Sequence, residues 1–234
     1  MLLLSFISYA QKNKLKSGTI TYETYLNTDV KKDLKNVSKE ISTKIFKLLN
    51  KAEKVNCILK FKNNKTLFYL EDRMRNDAEK GLNIMKIGLQ GIYYTNLLKN
   101  EITHQNESFG NLFLISKKPI KWKLTQEEKK IGAHLCYKAT AEIKGENRNG
   151  VFTKKIIAWY AIGIPLSFGP KYYSGLPGLI IKLEEGKRTF ILKKMKFNQT
   201  EHIIEKPTKG KRVSAEEYHE IVKKMVLNRD KLKY

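Results

Sequence analysis

The chain has 234 residues, of which 41% are hydrophobic and 29% charged, a balance that excludes a disordered tail, a collagen-like fibre and a multi-span membrane protein. Its 46 lysines and arginines against 23 acids give a formal net charge of +23, which raises nucleic acid and anionic membrane as partners. Only six of the 46 are arginines, namely Arg73, Arg75, Arg148, Arg188, Arg212 and Arg229, whereas dedicated phosphate grips favour the planar guanidinium fork.

Residues 1–10 are apolar and give way at once to the lysine-rich stretch after Gln11. Ser8 and Ala10 are small and stand at −3 and −1 to a cut before Gln11, the spacing of an export signal that lacks its charged beginning. The expectation is an exported protein, periplasmic, outer-membrane-associated or secreted, whose signal is truncated. A short N-terminal strand is the structural alternative. Beyond this segment no window reaches the roughly 18 uncharged apolar residues of a spanning helix. Cys57 and Cys136 are either bridged in an oxidising compartment or buried as free thiols.

Alternation in residues 18–26, with Ile20, Tyr22, Thr24 and Leu26 on one face, predicts a strand. Val37, Ile41, Ile45, Leu48 and Leu49 recur at helical spacing and predict an amphipathic helix over 37–50. Strands follow at 55–61 and 66–70 around the Asn63–Asn64 turn, then an irregular flap over 71–91. Further strands are predicted at 92–98, 101–105, 111–116, 120–124, 133–144 and 151–160, the last two separated by a polar loop at 145–150. A final hairpin pairs 179–184 with 189–197 through Glu185-Gly186-Lys187. Residues 206–212 read as a basic linker. Ser214 and Glu217 form a capping box ahead of a helix striped by Tyr218, Ile221, Val222, Met225 and Val226.

The resulting expectation is a mainly β, α+β fold: a large curved antiparallel sheet with amphipathic helices packed against it. The chain divides into a truncated signal at 1–10, a β-rich domain at 11–205 and a basic linker with C-terminal helix at 206–234.

Residues 162–180 are the most constrained. Pro165, Pro170 and Pro177 fix φ, while Gly163, Gly169, Gly175 and Gly178 admit conformations closed to other residues. This pattern reads as a buried structural corner, with a ligand-contacting loop as the alternative. The run Gly175–Ile180, GLPGLI, together with Ala158-Trp159-Tyr160, Ile164-Pro165, Ser167-Phe168-Gly169-Pro170, Ile131-Gly132, Cys136, Lys138-Ala139 and Tyr93-Tyr94-Thr95-Asn96, resembles the GLPGLI family. The resemblance covers most of 18–197 and implies a Bacteroidetes protein that carries an export signal. The family has no established activity, so the resemblance supplies no catalytic residue.

The four histidines, His104, His134, His202 and His219, are far apart in sequence. His134 and Cys136 share a strand face, half of a metal site by spacing alone. No HExxH, paired CxxC, GxSxG or phosphate-cradling glycine loop is present. Ser167 and Ser174 have no local reason to be nucleophiles. The sequence therefore assigns no catalytic, metal or cofactor residue. Tyr22, Tyr25, Tyr93, Tyr94, Trp122, Tyr137, Trp159, Tyr160, Tyr172 and Tyr173 sit in or beside strands, where aromatic residues pack sheets more readily than they stack bases. No nucleic-acid partner is expected. The leading reading is a non-catalytic envelope protein that binds a lipid or other apolar ligand between sheet and helix, with 73–91 as a cover and lysines meeting anionic headgroups. A protein-partner-binding module and an unrecognised hydrolase are the alternatives.

Overall fold

The computed structural model describes residues 17–26, 54–71, 88–147, 150–197 and 203–231, together with positions 38, 40, 43 and 86. Twelve strands form one sheet: β1 (Ser17–Leu26), β2 (Val55–Lys62), β3 (Lys65–Leu70), β4 (Ile92–Asn96), β5 (Glu101–Ser108), β6 (Asn111–Lys117), β7 (Lys123–Ile131), β8 (His134–Asn147), β9 (Gly150–Ala161), β10 (Leu179–Glu185), β11 (Arg188–Phe197) and β12 (Lys211–Ser214). Their spatial order is β12-β6-β5-β4-β3-β2-β1-β11-β10-β9-β8-β7. All described pairings are antiparallel except β12 with β6. Helix α1 (Ala215–Lys231) follows.

One face of the sheet carries the core, because inward residues come into register across strands. Ile115, His104, Tyr93, Phe68, Leu59 and Ile20 form a row from β6 to β1. Thr24, Phe190, Leu183, Ala158 and Ala139 continue the face from β1 through β11, β10 and β9 to β8. Strand β1 shows the cause directly, with Ile20, Tyr22 and Thr24 fully buried at alternate positions.

The expected curved sheet under amphipathic helices is corrected. The sheet is open, with edges β12 and β7 unpaired to each other, and α1 is the one helix described over its length. It packs at the β6–β12 end, where Tyr218, Ile221 and Met225 rest on Phe113, Ile115 and Val213. The core face is covered instead by the β9–β10 connection, residues 162–178. Leu166, Phe168, Tyr173 and Leu176 from this segment are buried in the main core, doing the work expected of a helix. Its three prolines prevent it from being one. The helix predicted over 37–50 and the flap over 71–91 lie mostly outside the described residues.

Three smaller expectations also change. The strand expected at 120–124 is displaced: β7 begins at Lys123 and runs through the charged residues to Ile131. An edge strand pairs on one side only and needs no apolar alternation. The polar loop expected at 145–150 is largely strand, since β8 continues to Asn147 and β9 resumes at Gly150. The basic linker supplies β12 at Lys211–Ser214. The capping box forms as expected, with Ser214 N donating to Glu217 Oε2 at 2.6 Å and Glu217 N to Ser214 Oγ at 3.0 Å. Cys57 and Cys136 are free and buried.

Candidate functional site

Titratable chemistry is densest beneath residues 162–178. Lys171 is the lone charge in the run 162–181, and the backbone turns there in the left-handed region, φ 55°. Its Nζ donates to Glu185 Oε2 at 2.5 Å, while Lys154 Nζ reaches the other carboxylate oxygen at 3.2 Å. The Lys171 and Glu185 side chains are 8% and 10% exposed. Burial lowers the Lys171 pKa, and the Glu185 charge opposes that shift only in part. Burial by itself would raise Glu185, but attraction to Lys171 and Lys154 outweighs it and holds the carboxyl below its usual 4.5. Arg188 stands beside the pair and donates to Thr24 Oγ1 at 3.3 Å.

An aromatic stack runs along the same face. His104 lies parallel to Tyr93 at 3.9 Å, Tyr93 faces Tyr172 at 5.8 Å, and Tyr172 faces Tyr173 at 4.9 Å. Burial pushes the Tyr172 phenol up to about 12 and the His104 imidazole down to about 4. His104 Nε2 contacts Gln90 O at 2.9 Å. Tyr173 Oη is buried without a hydrogen-bond partner among the described residues. The segment above is pinned by Tyr22 Oη donating to Ile180 O at 2.7 Å and Trp122 Nε1 to Ser174 O at 2.8 Å. Gly178 fits because any Cβ there would strike the Ala161 carbonyl oxygen. The cluster thus clamps the connection to the sheet. Its perturbed groups are sealed, and a strongly shifted pKa marks a catalytic site only where it meets a cleft.

The residues singled out by sequence scatter. His134 and Cys136 stay adjacent on β8, where Cys136 Sγ contacts His134 O at 3.5 Å. No group of three or more His, Cys, Asp or Glu gathers among the described residues. Ser167 O accepts from Gly175 N at 3.0 Å, and Ser174 Oγ donates to Tyr172 O at 3.4 Å, so both serines serve the connection. His202 lies outside the described residues. Lys171 and Glu185 escaped the sequence reading, although a lone charge between Pro170 and Tyr172 in an apolar run was their signal.

The accessible site lies elsewhere. A cleft of about 900 Å³ opens between the β8–β9 hairpin and the start of α1, within the size range of small-molecule sites. Phe152, Val213 and Ile221 give it apolar walls. Phe152 lies over Gly145, its cross-strand partner, whose missing side chain leaves room for the ring. Lys144, Lys211 and Arg212 edge the cleft. Among the described residues these three make no ion pair, and Glu216, Glu217 and Glu220 line the cleft with them. Glu216 meets Lys118 at 3.2 Å, and Glu217 caps the helix. His219, on the first turns of α1, also lines the cleft. The arrangement suits an apolar body with an anionic end.

Residues 144–182 match the family described as "Protein of unknown function (Porph_ging)". This stretch runs from the end of β8 through β9 and the connection into β10. No curated protein matches the chain. Two crystal structures of PNGF-II, in space groups C2 and P21, share its fold with TM-scores of 0.53 and 0.52 at 14% and 15% identity. They cover 88% of this chain, which spans only 32% and 33% of theirs. At that identity the likeness is one of fold. No helix among the described residues is long and apolar enough to cross a membrane.

Proposed function

We propose that this is an exported, envelope-associated protein of the GLPGLI family that binds, without catalysis, an amphiphile bearing an anionic end. The cleft beside α1 carries the reading: apolar walls adjoin three basic side chains that make no ion pair among the described residues, while two of the three glutamates in the lining are engaged by Lys118 and the helix cap. The apolar opening residues 1–10 support export. The family reading rests on the GLPGLI run at 175–180, which lies within the stretch 144–182 matched by the family of unknown function. The sealed state of Lys171 and Glu185 favours binding over hydrolysis, because this acid and base face the core rather than a cleft.

The test is mass spectrometry of the protein prepared from its native envelope without detergent. A stoichiometric amphiphile is expected in the wild type and a severalfold smaller amount in Phe152→Asp, which places a charge on the cleft wall. Equal amounts in both proteins, or none in the wild type, defeats the proposal.

A further inference from the structure

A second site lies at the end of the sheet opposite the β8–β9 hairpin, where two turns meet. The β2–β3 turn uses Asn63 and the β4–β5 turn uses Asn100, both in the left-handed region with φ 51° and 49°, which asparagine tolerates better than most residues. Leu97 N donates to Asn64 O at 2.9 Å and ties the turns together. Between them and residues 203–204 is a cavity of about 470 Å³.

Its lining is chemically one-sided. Lys62, Lys65 and Lys99 contribute three cations, and Asn63, Asn64 and Asn96 contribute amides, with no carboxylate among the lining residues. Asn96 is 4% exposed, and its Oδ1 is buried without a partner among the described residues. A buried acceptor left unmet is costly, so a ligand bringing a hydroxyl or N–H would satisfy it. The ammonium groups of Lys65 and Lys99 call for an anionic oxygen on the same ligand. At the rim, Leu98 and Ile203 are 78% and 76% exposed, an arrangement suited to apolar side chains that enter a bilayer interface while lysines meet its charged surface.

We propose that this pocket binds the hydroxylated, anionic headgroup of a membrane phospholipid, with Leu98 and Ile203 seated among the first acyl carbons. The orphaned acceptor selects a headgroup with a hydroxyl over bare charge. The apolar rim selects a bilayer over a soluble polyanion. The envelope reading above supplies the source of lipid, but the pocket is separate from the α1 cleft, and the two stand or fall separately.

Vesicle sedimentation of the full chain tests it, comparing phosphatidylcholine with and without phosphatidylglycerol. Binding is expected only with phosphatidylglycerol. Lys65→Ala at the exposed start of β3 with Lys99→Ala on the β4–β5 turn should weaken it about 10–30-fold. Leu98→Ser with Ile203→Ser should weaken it about tenfold or more, while glycerol phosphate still shifts the Asn96 side-chain amide resonance in that variant. Phe152→Asp, which addresses the other cleft, should leave vesicle binding unchanged. Equal binding to both vesicles, or full retention by the lysine variant, overturns the proposal. So does binding to soluble heparin that matches the vesicle affinity and ignores the Leu98 and Ile203 changes.

Discussion

Two covers lie against the sheet, and they are built on different principles. The irregular connection at residues 162–178 is locked by main-chain hydrogen bonds, a ring stack and a buried ion pair, and its apolar residues merge into the main core. Helix α1 rests on a small cluster of Phe113, Ile115 and Val213, with Tyr218 Oη contacting Asn106 and Ser108. An irregular segment can follow the sheet surface residue by residue. A straight helix touches along one stripe and leaves a wedge at its flank. The difference explains why the buried ion pair is sealed while the open cleft is lined by surface residues. It also separates the side of the molecule that holds the fold from the side available to ligands.

The largest test of this division is Glu185→Ala. It strands Lys171 in the core without its partner, and breaking a buried pair in this way costs about 3–5 kcal/mol. Replacing both residues with methionine, Lys171→Met with Glu185→Met, should recover most of that loss, since an apolar pair needs no compensating charge. Denaturant titration of the three proteins measures it. A loss below about 1 kcal/mol in the single variant would show that the clamp is weak and the two covers more alike than argued.

Acid separates the covers next. His104 titrates near 4 in the folded protein against an ordinary 6.5, because burial disfavours its charged form. Between those values the unfolded chain binds a proton that the folded one refuses. Stability attributable to His104 is therefore present above 6.5 and lost as the pH falls toward 4, by about 3 kcal/mol in all. His104→Phe keeps an aromatic ring over Tyr93 and should flatten the stability profile between pH 6.5 and 4.5, above the range where depressed carboxylates contribute. An unchanged slope would place the proton uptake on another group.

Much of the sheet was legible in sequence because period-two alternation survives wherever one face is buried, as in Ile20, Tyr22 and Thr24. Strand β7 was misplaced because an edge strand with both faces wet carries no such signal. Strand β12 was hidden for a related reason: its four residues pair with β6 in parallel, and nothing local in Lys211-Arg212-Val213-Ser214 names a partner about a hundred residues earlier. The rigid corner at 162–180 was readable from its prolines and glycines. Its role as the core's cover was not, since that depends on Phe61 meeting Phe168 and Tyr93 meeting Tyr172 across the fold. Both open cavities escaped the sequence because each is lined from segments far apart in the chain.

The smallest expected effect bears most directly on ligand access. Ser214→Ala removes the acceptor for Glu217 N and half of the reciprocal cap, a loss of about 1 kcal/mol. If α1 is a sparse cover, that loss is local. Amide exchange across Ala215–Lys231 should quicken severalfold, while the strands of the main core keep their protection and the global unfolding midpoint barely moves. The cleft shares Ala215, Glu216 and Glu217 with this first helical turn, so the same variant should release a bound amphiphile faster. Uniform acceleration of exchange through β1, β2 and β11 would instead show that the helix and the irregular connection unfold as one cooperative unit, and the cleft would then be as rigid as the core it flanks.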